Sequence, residues 1–260
     1  MNNPTIIVIA DYGSGDPSFT EVTLQLKTLI PGATVLPQST PPFSTINTGF
    51  WIYQFGLTKN LSNTSIYSNT APRREDKGAQ ANNRGEKLMY AKLKNGFEVI
   101  AVNAGYCFSF IKPHIAEFAF VNTANEGSQF RSRDIFPKAV AKMLEKDSSF
   151  ISETADINLI PDYPKDHIAH IDGYGNIKTT TRLSDLSYTS GQKLIIELNG
   201  KRQEGYFTDG SFNVAMGQLA FSPGSSGHDD KFMEIFYRGA SASSLFGGLN
   251  VEQPFTTSPM

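Results

Sequence analysis

Residues 5–18 read TIIVIADYGSGDPS, and the architecture of the first half of the chain follows from them. Residues 5–10 form an apolar, β-branched run without alternation, the pattern of a strand buried on both faces. The run ends at Asp11, passes Gly13 and Gly15, and reaches Asp16-Pro17-Ser18 ahead of an amphipathic stretch. Proline suits the first turn of a helix, and Asp16 or Ser18 can cap its orphan N–H groups. Ligands of open α/β sheets sit at the carboxyl ends of the strands, which puts Asp11 beside a ligand position. A carboxylate there can accept two hydrogen bonds from a ribose diol. On local grounds alone, Asp16 is a helix cap, and Asp11 is either a turn former or a ligand group.

Outward from this strand, helices are expected over 19–29 and 45–57, with strands at 33–36, 65–68, 87–93, 97–103 and 117–122. Residues 70–86 are polar and charged and read as a long functional loop. SQFRSRD at 128–134 leads into a helix through Ile135, Val140, Met143 and Leu144. Composition shifts over 147–165, where a domain boundary is expected. Beyond it come short strands at 167–172, 176–180, 193–198, 201–207, 218–221 and 232–237. Asn199-Gly200 makes a hairpin turn between two of them, and a short helix is expected at 240–246. Strands so spaced, with no helices between them, imply a small antiparallel barrel or sandwich. The expected fold is therefore an N-terminal Rossmann-like α/β domain over 1–153, then a β-barrel-like domain over 166–260.

The chain has 260 residues, 39% hydrophobic and 18% charged, with a formal net charge of −2. That balance gives no attraction to nucleic acid or to an anionic membrane. Cys107 is the single cysteine, which excludes an intrachain disulfide and a cysteine-based metal site. The opening MNNPTIIVIADYG lacks the features of a signal peptide, and no run reaches membrane-spanning length. A cytoplasmic enzyme or binder is expected. His228, Asp229 and Asp230 read as a solvated turn, so no metal is expected.

Six motifs in order resemble one family. They are Asp11-Tyr12-Gly13-Ser14-Gly15-Asp16, Pro41-Pro42-Phe43, Asn103-Ala104-Gly105, Phe130-Arg131-Ser132-Arg133-Asp134-Ile135-Phe136 and His170-Ile171-Asp172-Gly173-Tyr174-Gly175-Asn176. The sixth pairs Phe232-Met233-Glu234-Ile235 with Gly239-Ala240-Ser241-Ala242. Together they resemble the S-adenosylmethionine hydroxide adenosyltransferases and their halogenating relatives, the fluorinases and chlorinases. The resemblance implies an α/β domain followed by a barrel-like one. It also implies a homotrimer that binds its nucleoside substrate between one subunit's first domain and a neighbour's second. The implied reaction is attack at the ribose 5′ carbon of S-adenosylmethionine, with methionine leaving and no further cofactor.

By the same resemblance Asp11 would hold the ribose hydroxyls and Phe43 would wall the pocket. Tyr174 and Phe207 would stack on adenine, Asn176 and the backbone of Gly239 and Ala240 would read its edge, and Asp172 would pair with the methionine ammonium. Asp16, Ser18, Phe130 and Ser222 complete the implied substrate contacts. The catalytic set corresponds to Ser132, Arg131, Asn69 and Arg84, with Arg73 and Arg74 competing for the last place. The family's hydroxide-transferring members carry an Asp and a His where this chain has Asn69 and Arg131. Neither an amide nor a guanidinium is a base at neutral pH. Ser132, which opens a helix, could hold an anion or a water there, or serve as a plain N-cap. Three functions are thus expected in order: hydrolysis to adenosine and methionine, silent binding of the nucleoside, and halide-dependent transfer.

Overall fold

The computed structural model describes residues 3–59, 61–70, 72, 86–124 and 127–260. It is a mixed α/β structure that divides into two units, Met1–Asp162 and Tyr163–Met260.

The first unit is built on β1 (Thr5–Ala10), α1 (Pro17–Leu29), β2 (Thr34–Ser39), α2 (Thr45–Gly56) and β3 (Thr64–Asn69). It continues with β4 (Leu88–Leu93), β5 (Glu98–Val102), β6 (Ile115–Val121), α3 (Arg131–Asp134), α4 (Phe136–Leu144) and β7 (Ile151–Thr154). Its seven strands lie in the order β2-β1-β3-β5-β4-β6-β7. β2, β1, β3 and β5 run parallel, and β4, β6 and β7 extend the sheet antiparallel. Ile6, Val8, Ile9 and Ala10 are fully or almost fully buried, as the unalternated run of β1 requires. Phe19, Val22 and Leu26 bury the inner face of α1, and Ile46, Phe50, Ile52 and Tyr53 that of α2.

β2 runs further than expected, because Pro37 is tolerated on an edge strand where its missing N–H faces no partner. The helix expected across 135–144 breaks at Ile135 into α3 and α4. Pro137 has no N–H to give to the carbonyl four residues back, so the ladder of α3 cannot continue into α4.

The second unit comprises β8 (Ile168–Ile171), β9 (Ile177–Arg182), β10 (Lys193–Leu198), β11 (Lys201–Phe207), β12 (Leu219–Pro223), β13 (Phe232–Tyr237), α5 (Ala242–Leu245) and β14 (Phe255–Pro259). They make one curled seven-stranded sheet, order β14-β10-β11-β12-β13-β9-β8. Every pairing is antiparallel except β11 with β12. Next to the two edge strands, Ile168 donates to Gln253 at 2.9 Å and Glu252 to Ile168 at 2.8 Å. Ile177, Leu194, Ile196, Phe221, Ile235 and Phe246 form the centre of its core. Among the described residues, no helix is long and apolar enough to cross a membrane.

Candidate functional site

Parallel pairing puts the carboxyl ends of three strands level. Ala10 of β1 stands opposite Ser39 of β2 and Asn69 of β3. Asp11 leaves the sheet at this edge and accepts the Phe43 backbone N–H at 3.0 Å through Oδ2. Phe43 is held in the left-handed region, at φ 63°, with its side chain 54% exposed. It sits between a turn closed by Ser44 N–H on the Pro41 carbonyl (3.1 Å) and the α2 cap, where Ser44 Oγ accepts from Asn47 N–H at 3.2 Å. Behind it, the buried Thr48 hydroxyl donates to the Ser44 carbonyl at 2.8 Å. That hydroxyl also lies 2.8 Å from Thr70 Oγ1 and 3.3 Å from Thr40 Oγ1. It thereby ties the ends of β2 and β3 to the first turn of α2, a junction that no local sequence pattern announces.

The structure uses Asp16 and Ser18 as a helix cap. Asp16 Oδ1 accepts the Ser18 N–H at 2.7 Å, and these contacts with Ser18 hold its carboxyl below the usual range.

Tyr12 is the residue whose role no motif of the sequence announces. Its hydroxyl donates to Ser132 Oγ at 2.5 Å and also hydrogen-bonds the Asn69 side chain. Ser39 Oγ donates to the Tyr12 carbonyl at 3.2 Å. The Tyr12 ring meets Phe19 and Phe130 edge-on, at 5.1 and 5.9 Å between centroids. Tyr67 donates to the Ser132 carbonyl at 2.7 Å, so both oxygens of that serine are engaged. Burial, reinforced by the charge of Asp11, pushes the Tyr12 phenol up to about 12, and burial raises Tyr67 well above its ordinary value. Both are neutral donors at physiological pH. Ser132 is buried and is not the cap of α3, since the cap position falls on Phe130.

The other polar groups of this segment face elsewhere. Arg131 Nη2 donates to Thr123 Oγ1 and to the Ala124 carbonyl, each at 3.3 Å, and its guanidinium lies 4.9 Å from the Phe136 ring centre. Arg133 grips Asp134 through two bonds of 2.6 and 3.0 Å and covers the Phe130 ring at 4.9 Å. Arg133 and Ser128 together bring the Asp134 carboxyl down to about 2. Arg84, with Arg73 and Arg74, lies outside the described residues.

In the second unit, Asp172 organises the β8–β9 turn. Its Oδ1 accepts the N–H groups of Tyr174 (2.9 Å) and Asn176 (3.0 Å), and its Oδ2 accepts Asn176 Nδ2 at 3.0 Å. The turn presents the Tyr174 ring 84% exposed. Gly175, at φ 82°, packs against Ser241 so closely that a Cβ would fall 2.0 Å from its Oγ. Gly239 and Ala240 form the exposed turn that follows β13. Phe207 belongs to the core, edge-on to Tyr188 at 5.7 Å, and so is not presented for stacking. Ser222 is buried, its Oγ 3.0 Å from Ser211 Oγ. Among the described residues, no group of three His, Cys, Asp or Glu side chains could hold a metal ion.

No protein-family model and no curated protein matches the chain. Solved structures do resemble it. One is an uncharacterized conserved protein from Thermotoga maritima, with TM-score 0.76, 18% identity, and 97% of this chain and 100% of that one covered. Another is a conserved hypothetical protein from Thermus thermophilus, with TM-score 0.69, 16% identity, and coverage of 98% and 100%. At these identities the likeness speaks for the fold alone.

Proposed function

We propose that this protein binds S-adenosylmethionine and splits it into adenosine and methionine, with water attacking the ribose 5′ carbon. One observation supports this reading above the others: Phe43 keeps a half-exposed ring in the left-handed region while its N–H rests on Asp11. Non-glycine residues hold such backbone strain where the surroundings over-determine it, and these positions gather at ligand sites. A carboxylate offers about four acceptor positions, enough for a vicinal diol beside the Phe43 N–H. Tyr174 would lie against adenine, the backbone of Gly239 and Ala240 would read its edge, and Asp172 would face the methionine ammonium. In this reading the first unit is Rossmann-like, the second barrel-like, and the assembly a homotrimer.

In the reaction, a water oxygen forms the bond to C5′ as the C5′–S bond breaks. The electron pair passes to sulfur, giving the neutral thioether of methionine, and the water's extra proton leaves to solvent. The sulfonium is already a good leaving group and needs no acid. Tyr12, Ser132, Asn69 and Arg131 supply no base, so rate enhancement would come from positioning and fixed dipoles.

That same lack of a base favours a second reading, a silent binder of S-adenosylmethionine or adenosine. Halide-dependent transfer ranks third. Incubation with S-adenosylmethionine, with and without chloride, followed by chromatography, separates the three. Equal adenosine and methionine support hydrolysis. A calorimetric complex without turnover supports the binder, and a chloride-dependent nucleoside supports halogenation. Neither binding nor turnover removes the whole reading.

A further inference from the structure

Two hydrogen bonds run in series from the end of β3, through the turn after β1, to a single serine of α3. Asn69 ends β3 level with Ala10, the residue before Asp11. Its side chain meets the Tyr12 phenol, and this contact favours the ionised phenol. A bond does so when it is donated onto the phenol oxygen, so Asn69 Nδ2 is the donor. The phenol in turn donates to Ser132 Oγ at 2.5 Å. Burial, first among the causes that push its value up to about 12, keeps the phenol neutral and its proton in place. The order Asn69, Tyr12, Ser132 therefore runs one way, and each bond polarises the next.

A hydroxyl has one proton and two lone pairs. Tyr12 occupies a lone pair of Ser132 Oγ, so the serine's own proton is left to donate elsewhere. Among the described residues that proton has no acceptor. Ser132 is only 4% exposed, and a buried polar group without a partner needs a functional reason. The residue is also fixed in place. Tyr67 holds its carbonyl at 2.7 Å, and the Phe130 N–H donates to Ser128 Oγ at 2.9 Å just ahead of α3.

We propose that Tyr12 is a positioning residue, whose phenol fixes the Ser132 hydroxyl as the donor that holds the attacking water by one lone pair. This role rests on the hydrolytic reading and adds to it a residue that acts through Ser132 alone. The water's other lone pair forms the bond to C5′ as the C5′–S pair passes to sulfur, and the surplus proton leaves to solvent. The water gains alignment, not basicity. Without the phenol, the Ser132 hydroxyl is free to rotate, and the water loses its fixed donor.

The test is a double-mutant cycle on the full chain, with S-adenosylmethionine as substrate and adenosine release as the signal. Thermal melting sets an assay temperature below the transition of every variant. Ser132→Ala removes the donor and should lower kcat about a hundredfold, and Tyr12→Phe frees it and should lower kcat about tenfold. KM should stay at the wild-type value in both. The double variant should match Ser132→Ala, because the phenol has nothing left to position. A phenol that only supports the fold would lower kcat by the same factor in both backgrounds, which overturns the proposal. Wild-type kcat in Tyr12→Phe, or a loss confined to KM, also overturns it and leaves hydrolysis standing. A wild-type protein that binds S-adenosylmethionine without turnover removes hydrolysis, and this role with it.

Discussion

The Tyr12 hydroxyl donates to Ser132 Oγ at 2.5 Å across 120 positions of sequence. This bond joins the turn after β1 to α3, and the Asn69 side chain joins the same hydroxyl from the end of β3. Three separate segments thus meet on one phenol. Tyr12→Phe deletes that hydroxyl and leaves the buried Ser132 Oγ without its donor. A loss of about 1–3 kcal/mol in urea unfolding is expected. A stability equal to wild type would show that water replaces the phenol at no cost.

The same phenol gives the protein an alkaline limit. Its folded value near 12 lies above the ordinary 10.0, so the folded state prefers the neutral form. The resulting stability is complete below pH 10 and is lost as pH rises through 12. Tyr67, raised by its own burial, acts in the same direction. Melting temperatures should therefore fall between pH 10 and pH 12, and Tyr12→Phe should fall less steeply over that range while Tyr67 keeps its own share. Parallel profiles for the two proteins would place the alkaline sensitivity elsewhere.

Phe43 offers a way to separate strain from binding. Its φ of 63° suits glycine, so Phe43→Gly relieves about 1 kcal/mol of backbone strain. The gain is offset by a similar unfolded-state entropy. Stability should thus change by less than about 1 kcal/mol, while affinity for S-adenosylmethionine drops about tenfold with the ring. Asp11→Ala should weaken binding at least as much by calorimetry, because it removes both the diol acceptor and the anchor of the Phe43 N–H. Undiminished binding in both variants would move the ribose away from this edge.

How far the sequence discloses all this depends on where each residue keeps its partners. β1 is legible because a strand covered on both faces must be apolar throughout. The Asp172–Asn176 turn is legible because Asx chemistry is local. β7 and β14 escape notice because they are edge strands, largely exposed, and carry no apolar run. Phe207 looks available as a ring, yet it shares the buried face of β11 with Gly205, one pleat away from outward-facing Tyr206. Tyr12 looks like a turn residue, since neither Ser132 nor Asn69 lies near it in sequence. The Thr40–Thr48–Thr70 junction is hidden for the same reason.

Thr48 tests whether that junction supports the edge beneath Asp11. Thr48→Val is nearly isosteric, so it removes one hydroxyl without opening a cavity. The Ser44 carbonyl, Thr40 Oγ1 and Thr70 Oγ1 each lose a partner in a dry environment. Unfolding should become easier by about 1–3 kcal/mol, and Thr48→Ser should restore most of that. Equal losses in the Val and Ser variants would assign the effect to packing of the methyl group.

The second unit carries its own polar test. On the β9–β13 pair, Lys178 Nζ lies 2.8 Å from Glu234 Oε2, with both side chains nearly buried, and it also reaches Ser225 Oγ at 3.3 Å. Removing one partner strands the other charge in a poorly solvated place. Lys178→Met should therefore cost about 3–5 kcal/mol, because the Glu234 carboxylate is left unpaired. Removing both charges avoids that penalty. The double variant Lys178→Met/Glu234→Leu should recover most of the loss, and replacing such a pair by apolar groups is often neutral or stabilising. Chemical denaturation of the two variants decides the matter. A double variant as unstable as the single one would mean that the pair organises the turn at Ser225 through hydrogen bonds that no apolar side chain can supply.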